Sequence, residues 1–220
     1  MQNMKKTIAV ALSALMLVTS LTACGGNETP NSTSGNNNAG GSSVSQSGGS
    51  TGGDLTPLTA GMCETPIVLT SVGQSADIDI VKTLCTNAGI EVYSTATITA
   101  DDLTDQYKTL ILAVGGSSKG LGAAGIDQDE ELARAEALMA KADELGITIV
   151  AMHTGGSARR GTLSDMFITP CFEAADAAIV VAEGDEDGLM AGILSANGTP
   201  AEYVEQAANA IEPLKTLFGM

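Results

Sequence analysis

The sequence contains no tryptophan, only three phenylalanines and three tyrosines, and a single histidine, His153. A hydrophobic core must therefore be built mainly from aliphatic side chains. With one histidine and no His/Cys cluster at metal-ligand spacing, the common zinc motifs are excluded. We expect neither a metal nor another cofactor.

Basic residues are also scarce: ten lysines and arginines stand against 26 aspartates and glutamates, and the formal net charge is -16. A chain of this charge is repelled by phosphate backbones and by anionic lipid surfaces. Nucleic acid is therefore excluded as a partner. The acidic excess itself is typical of a protein kept soluble outside the cell.

A long apolar run occurs only near the start of the chain. Lys5 and Lys6 precede an uncharged, mostly apolar stretch from 7 to 21, which is typical of an export signal. At about 15 residues, the stretch is shorter than the ~20 that a membrane-spanning helix needs. It ends in "LTAC" (21–24), which resembles the lipobox of bacterial lipoproteins. The resemblance implies that residues 1–23 are removed and that Cys24 is lipidated.

Residues 24–53 are rich in Gly, Ser and Asn and contain almost nothing that can be buried. Such a segment cannot offset the entropy lost on folding, so it is predicted to be a disordered linker with a reach of roughly 30 Å. Two or more acyl chains give a stable membrane anchor. We therefore expect a single domain, residues 54–220, tethered through lipid at the extracytoplasmic face of the cell membrane.

Within that domain, short apolar runs alternate with helix patterns. The predicted strands are 66–73, 90–96, 109–116, 147–156 and 177–184. The alternation predicts an α/β fold with three layers: a doubly wound, mostly parallel, five-stranded sheet in the flavodoxin-like or Rossmann-like order 2-1-3-4-5.

Helix starts and stops are marked between these runs. One helix is predicted to begin near Ser75 and Asp77 and to end at Gly89, and another runs between the capping residue Asp127 and Gly146. A last helix is predicted from Thr199, because proline follows at the first helical position.

Three cysteines fall in the domain. Cys85 lies on the apolar face of a predicted helix and is expected in the core. Cys63 and Cys171 could form a disulfide, but spacing alone does not decide this.

Ligands of doubly wound sheets bind at the carboxyl ends of the strands. Lys119, Arg159 and Arg160 fall in the loops that follow these ends, together with His153. The same loops hold the hydroxyl side chains of Ser71, Ser75, Ser117, Ser118, Thr154 and Ser157. We interpret these ten residues as a site for a small anion, since an arginine fork suits a carboxylate or a phosphate. The alternative is that the arginines pair with Asp165, Glu173 or Asp187 and only hold the loop in place.

Two enzyme-like patterns occur in the same loops. "GSSKG" (116–120) fits G-x-S-x-G, with Ser118 as nucleophile and His153 downstream, but this histidine precedes a further strand, whereas such hydrolases place it after the last one. "GLGAAG" (120–125) fits G-x-G-x-x-G, but the helix is predicted to begin only after its third glycine, and no acidic residue ends the next strand. We therefore expect a binding loop and assign no catalytic residue.

The lipobox, the linker and a domain containing "LAVGGSSKGLGAAGID" and "HTGGSARRG" together resemble a family of uncharacterised small lipoproteins of Gram-positive, clostridia-like bacteria, classed as a domain of unknown function. The resemblance covers about residues 60–220 and implies an envelope location without naming an activity. Our leading hypothesis is a membrane-tethered binding protein that delivers a small anionic solute to a transporter or sensor. The alternatives are an envelope protein-interaction module and, less favoured, a Ser-dependent hydrolase.

Overall fold

The computed structural model describes residues 55–220. The expected signal peptide, Cys24, the linker and Asp54 lie outside these residues. Among the described helices, none has both the length and the apolar character needed to cross a bilayer.

A parallel sheet of six strands, in the order β2-β1-β3-β4-β5-β6, forms the middle layer of the domain. The strands are β1 (Ile67–Val72), β2 (Tyr93–Ser94), β3 (Thr109–Val114), β4 (Thr148–His153), β5 (Ala177–Val181) and β6 (Ala201–Val204). The α/β class, the parallel arrangement and the order of the first five strands are confirmed. The predicted number of strands was wrong, because a sixth strand extends the sheet.

Helices cover both faces of the sheet. They are α1 (Asp77–Asn87), α2 (Ser118–Ala124), α3 (Gln128–Leu145), α4 (Thr162–Ala174), α5 (Leu189–Asn197) and α6 (Ile211–Leu217). The α3 helix begins and ends where the sequence predicts: Asp127 accepts hydrogen bonds from the Asp129 and Glu130 N–H groups, and Gly146 takes the left-handed conformation that ends it.

The helix predicted from Thr199 is a strand instead. Proline suits the first position of a helix, but it is also tolerated at the start of an edge strand, where its missing N–H breaks no ladder bond. The Ala178 N–H donates to the Pro200 carbonyl at 3.0 Å, and residues 201–204 then pair with β5. The tertiary pairing buries Ala201 and Val204, and the helix starts only at Ile211.

The "GLGAAG" segment also differs from the prediction, because α2 begins before its first glycine. Ser117 caps this helix by accepting a hydrogen bond from the Gly120 N–H at 3.1 Å. A Cβ at position 120 would lie 1.7 Å from the Gln74 carbonyl oxygen. Glycine is therefore needed here so that the backbone of α2 can approach the loop after β1.

Two apolar clusters fill the space between sheet and helices. Residues of α3, α4 and α5, including Leu138, Phe167 and Leu194, pack on one face. On the other face, α1 and α6 contribute residues such as Val81 and Leu214. This arrangement gives the three layers expected from the sequence.

The three described cysteines are buried and free, and Cys85 belongs to the core as expected. Cys63 belongs to the cluster on the α1 side of the sheet, whereas Cys171 belongs to the cluster on the α4 side. The sheet separates these two thiols, so the possible disulfide between them is not formed.

Candidate functional site

The loops after β1, β3, β4 and β5 meet at one side of the sheet, which we call the carboxyl edge. It consists of residues 73–77, 115–119, 154–161 and 182–188. Hydrogen bonds join the first two loops: the Gly115 N–H donates to the Val72 carbonyl at 2.9 Å, and the Ser117 N–H donates to that of Gly73 at 2.8 Å. Main-chain hydrogen bonds therefore join the two loops at the position where the strand order switches.

A buried ion pair lies behind these loops. Glu131 of α3 has no exposed side-chain surface, and its carboxylate accepts hydrogen bonds from the Gly73 N–H at 2.8 Å and from Arg134 Nε at 2.8 Å. Arg134 also donates to the carbonyl oxygens of Ser71 and Ile98, at 2.6 and 2.7 Å. The pair thus holds the ends of several segments together.

Sequence reasoning missed this pair, although a signal was present. Glu131 stands four residues before Ala135 and seven before Leu138, and both of these lie in the core. It therefore occupies the buried face of α3 by helical spacing. A carboxylate in that position requires a buried cationic partner, which Arg134 provides.

Arg160 is saturated by partners within the domain. Its Nε donates to Asp165 at 2.8 Å, its Nη1 donates to the Gly184 carbonyl at 2.6 Å, and its Nη2 donates to Asp187 at 2.8 Å. The bonds to Asp187 and Asp165 raise the pKa of the Arg160 guanidinium above its ordinary value. Arg160 therefore matches the alternative interpretation, because it pairs with Asp165 and Asp187 and holds the loop in place. Glu173 takes no part in this contact.

Arg159 is bound differently, although it is the adjacent residue. Its Nε lies 3.3 and 3.2 Å from the two carboxylate oxygens of Asp77, at the start of α1. Within residues 55–220, its two terminal nitrogens contact no acceptor, and its side chain is 30% exposed. Arg159 therefore presents a charged fork with unused N–H donors at the carboxyl edge.

Two glycines make room for this pair. A Cβ at Gly115 would lie 2.9 Å from Asp77 Oδ2 and 3.2 Å from Arg159 Cδ. At Gly155, a Cβ would lie only 2.0 Å from Arg159 Cγ. The glycine-rich loops thus allow the backbone to approach the Asp77–Arg159 pair, which lies between β1, β3 and β4.

His153, the last residue of β4, is fully buried. Its Nε2 lies 3.0 Å from the carbonyl oxygen of Arg159; because a carbonyl only accepts, the ring proton is on Nε2. Nδ1 has no hydrogen-bond partner and lies against Gly184, where a Cβ would come within 2.6 Å of it. Burial lowers the pKa of His153. The ring is therefore neutral at pH 7, has no surface with which to touch a solute, and supports the Arg159 loop from behind.

The predicted hydroxyl residues divide into two groups. Ser71 and Ser75 are buried: Ser71 donates to the Ser75 carbonyl at 3.4 Å, and Ser75 Oγ accepts from the Asp77 N–H at 3.2 Å. Thr154 is buried with its hydroxyl unpartnered.

Nearer the surface, Ser157 donates to Glu183 at 2.6 Å, and Ser117 caps α2. Ser118 and Lys119 are exposed in the first turn of α2. Of the ten predicted residues, therefore, Arg159, Ser118 and Lys119 remain available to a solute.

The arrangement needed for a Ser–His hydrolase is not formed. Ser118 is exposed on α2, whereas the His153 ring is buried with its Nε2 proton donated to a carbonyl. Its Nδ1 faces Gly184, which follows β5, and makes no hydrogen bond to a hydroxyl group. Ser118 and His153 therefore share no hydrogen bond among the described residues.

A groove of about 730 Å³ lies at the opposite edge of the sheet, between the start of β1, the end of α1 and the end of the chain. Glu64 and Glu91 line it, together with Cys63, Ile90 and Phe218, and its lining includes no lysine or arginine. The groove therefore offers no cation to an anion, whereas the carboxyl edge offers Arg159. The carboxyl edge is therefore the better candidate for an anion site.

The fold and this edge define a parallel α/β domain with an arginine fork held at the carboxyl ends of its strands. The chain belongs to the family described as "Domain of unknown function (DUF6305)", which matches residues 64–218. No curated protein matches the chain.

Solved structures with some similarity include two esterases. AlinE4, titled a SGNH-hydrolase family esterase, is 14% identical over 57% of this chain and 79% of its own, with a TM-score of 0.31. The psychrotrophic esterase EstA from Pseudoalteromonas sp., in a structure titled as inhibited by monoethylphosphonate, is 13% identical over 68% of this chain and 91% of its own, with a TM-score of 0.32. At this level of similarity, no residue role is carried over from either enzyme.

Proposed function

We propose that the protein is a lipid-anchored, extracytoplasmic binding protein that holds a small anionic solute at Arg159 and presents it to a membrane transporter or sensor. The anchor would be lipid on Cys24, as the lipobox-like "LTAC" indicates. The resemblance of about residues 60–220, together with the lipobox and the linker before them, to small lipoproteins of Gram-positive, clostridia-like bacteria supports the same location.

The observation that carries the proposal is the contrast between two adjacent arginines. All three guanidinium nitrogens of Arg160 have acceptors within the domain, whereas the terminal nitrogens of Arg159 have none among the described residues. A partly exposed guanidinium that is held in place through Nε alone is preorganised to bind an anion with its remaining N–H groups.

Lys119 adds to this arrangement from the neighbouring loop. It is exposed in the first turn of α2, and it has no ion-pair partner within residues 55–220. Gly115, four residues earlier in the same loop, lies against Arg159. Lys119 is therefore a second exposed cation on the loops of the carboxyl edge.

The first described residues lie at the edge of the sheet where the strands begin. The Ala201 N–H, at the start of β6, donates to the Thr56 carbonyl at 2.8 Å. Just before β1, the Cys63 N–H donates to the Leu217 carbonyl at 2.9 Å. These first residues therefore lie at the edge opposite Arg159.

A thermal-shift and calorimetry screen of the full chain in detergent, at low salt, tests this proposal. A ligand at 100 times its Kd adds about 2.7 kcal/mol to the free energy of unfolding, which raises the melting temperature of a domain of this size by about 5–10 °C. We expect at least one small anion to produce this shift. Arg159→Gln should abolish it, whereas Lys82→Gln, which removes an exposed cation of α1, should not.

Two results would overturn the proposal. One is a panel of carboxylates, phosphate and sulfate that leaves the melting temperature unchanged. The other is co-purification with a membrane protein that Arg159→Gln does not weaken, combined with no solute binding, which would favour an envelope protein-interaction module instead.

A further inference from the structure

We infer that Arg159 selects a planar carboxylate carrying a single negative charge and discriminates against phosphate, sulfate and dicarboxylates. This inference rests on the proposed function and concerns the same site. It follows from three features of the carboxyl edge: its charge, its main-chain donors and the geometry of the free guanidinium nitrogens.

Negative charge exceeds positive charge at this edge. Asp77, 4% exposed at its side chain, already neutralises Arg159. Arg160 faces three carboxylates: Asp165 and Asp187 at 2.8 Å, and Asp185 at 3.9 Å. Repulsion from these groups grows in proportion to the charge of an incoming ligand. The repulsion that these carboxylates exert is therefore about twice as strong on a dianion as on a monoanion.

Main-chain donors, which phosphate sites in α/β proteins use heavily, are already occupied at the starts of α4 and α5. At the start of α5, Asp185 accepts hydrogen bonds from the N–H groups of Met190 and Ala191, both at 2.8 Å. At the start of α4, Asp165 accepts from the Gly161 N–H at 3.3 Å. The chain's own carboxylates thus take the positions that a phosphate would need.

The start of α1 is used in the same way. The Asp77 N–H donates to Ser75 Oγ at 3.2 Å, and the Asp77 carboxylate itself lies buried in the first turn of the helix. Asp77 already compensates the positive end of the α1 helix dipole. A second negative group placed against this helix start would therefore be repelled at short range.

The free donors of Arg159 fit two oxygen atoms in one plane. Because Nε is taken by Asp77, the available N–H groups are those of Nη1 and Nη2. One N–H from each can point at a carboxylate as a parallel pair of hydrogen bonds. A tetrahedral anion would use the same two bonds, but its remaining oxygens would lie outside the guanidinium plane, where Arg159 offers them no further donor.

The test is isothermal titration of the full chain in detergent at low salt with acetate, propionate and benzoate, and separately with inorganic phosphate, sulfate and succinate. We expect the monocarboxylates to bind at least tenfold more tightly than the other three. Arg159→Lys keeps the charge but removes the planar fork, so it should weaken carboxylate binding at least tenfold. Asp77→Asn removes the negative charge beside Arg159. It should therefore strengthen phosphate binding and reduce the difference in affinity between the monocarboxylates and phosphate.

The outcomes separate this inference from the proposed function. If phosphate or sulfate binds as tightly as the carboxylates and Arg159→Gln abolishes that binding, the proposed function stands and the selectivity inference is overturned. Equal carboxylate binding by the unmodified chain and by a folded Arg159→Lys variant also overturns the inference. If none of the six anions binds, both fail. Melting curves without ligand establish that each variant is folded.

Discussion

The carboxylate of Asp77 lies 3.2 Å from Nε of Arg159, joining the start of α1 to the loop after β4. The two residues are separated by 82 positions in the chain, and glycines on two loops leave the space in which they meet. This contact positions Arg159 while its terminal nitrogens stay free. The first prediction concerns the space around the pair.

Gly155→Ala should displace Arg159. The φ of Gly155 is -83°, which alanine adopts without strain, so the effect would come from the new Cβ, 2.0 Å from Arg159 Cγ. We expect a loss of about 1–3 kcal/mol in the free energy of unfolding, measured by denaturant titration, together with loss of anion binding.

Gly122→Ala is the matched control for that substitution. Gly122 lies within α2, and nothing is found within 4 Å of a Cβ built there. Alanine should therefore stabilise the helix by about 0.5–1 kcal/mol. If Gly155→Ala behaves like Gly122→Ala, the packing around Arg159 is not as described.

Glu131→Ala should be among the most destabilising single substitutions at this edge. It leaves Arg134, whose side chain is 11% exposed, without its carboxylate partner, and it removes the acceptor of the Gly73 N–H. Breaking a buried ion pair in this way costs about 3–5 kcal/mol. Denaturant titration measures the change.

The exposed pair Lys141–Glu144 on the same helix provides the comparison. Its nitrogen–oxygen distance is 3.0 Å, but the side chain of Glu144 is 69% exposed. Glu144→Ala should change the free energy of unfolding by no more than about 0.5 kcal/mol. Similar losses for the two variants would mean that the burial of Glu131 has no energetic consequence.

His153 should make the stability of the domain depend on pH. Burial lowers its pKa from the ordinary value of 6.5, so the unfolded chain takes up a proton before the folded one does. The contribution of His153 to the free energy of unfolding is therefore fully present above pH 6.5. It is lost as the pH falls from 6.5 towards the pKa of His153 in the folded protein, and below that pKa it no longer changes. Unfolding should be measured between pH 8 and pH 5.

Because His153 is the only histidine of the chain, His153→Gln isolates its effect. In the variant, the free energy of unfolding should no longer fall with pH just below pH 6.5. It should still fall at lower pH, where the carboxylates are protonated. An unchanged slope would show that another group titrates in this window.

Cys24→Ala should release the protein from the membrane. The lipobox-like "LTAC" predicts that this cysteine carries the lipid that anchors the protein. Fractionation of cells that produce either form, with mass spectrometry of the N-terminal peptide, measures this. Membrane retention of the alanine variant would contradict the predicted anchor.

Several elements could be predicted from the sequence because their signals are local. The α3 helix has an acidic cap, helical spacing of apolar residues and a terminal glycine, and all three act within one segment. The strand at 201–204 could not be recognised, because "TPAE" also begins helices and only the neighbouring β5 selects the extended form. Local signals therefore fail where a contact with a distant segment decides the conformation.

The candidate site shows the same division. The spacing of Lys119, Arg159 and Arg160 after strand ends placed them at one edge, but it did not distinguish the two arginines. That difference arises from Asp77, Asp165 and Asp187, which come from different segments of the chain. The sequence indicated Asp165 and Asp187 as possible partners of the arginines, but not that both would pair with Arg160.

By itself, the sequence determined the α/β class, the parallel order of the first five strands and the edge at which charged loops gather, because apolar periodicity and helix caps are local properties. Tertiary structure alone decided that β6 forms, that Glu131 and Arg134 are buried together, and that Arg160 is saturated while Arg159 keeps free donors. These outcomes depend on packing between residues far apart in the chain, where burial and available partners outweigh local preference.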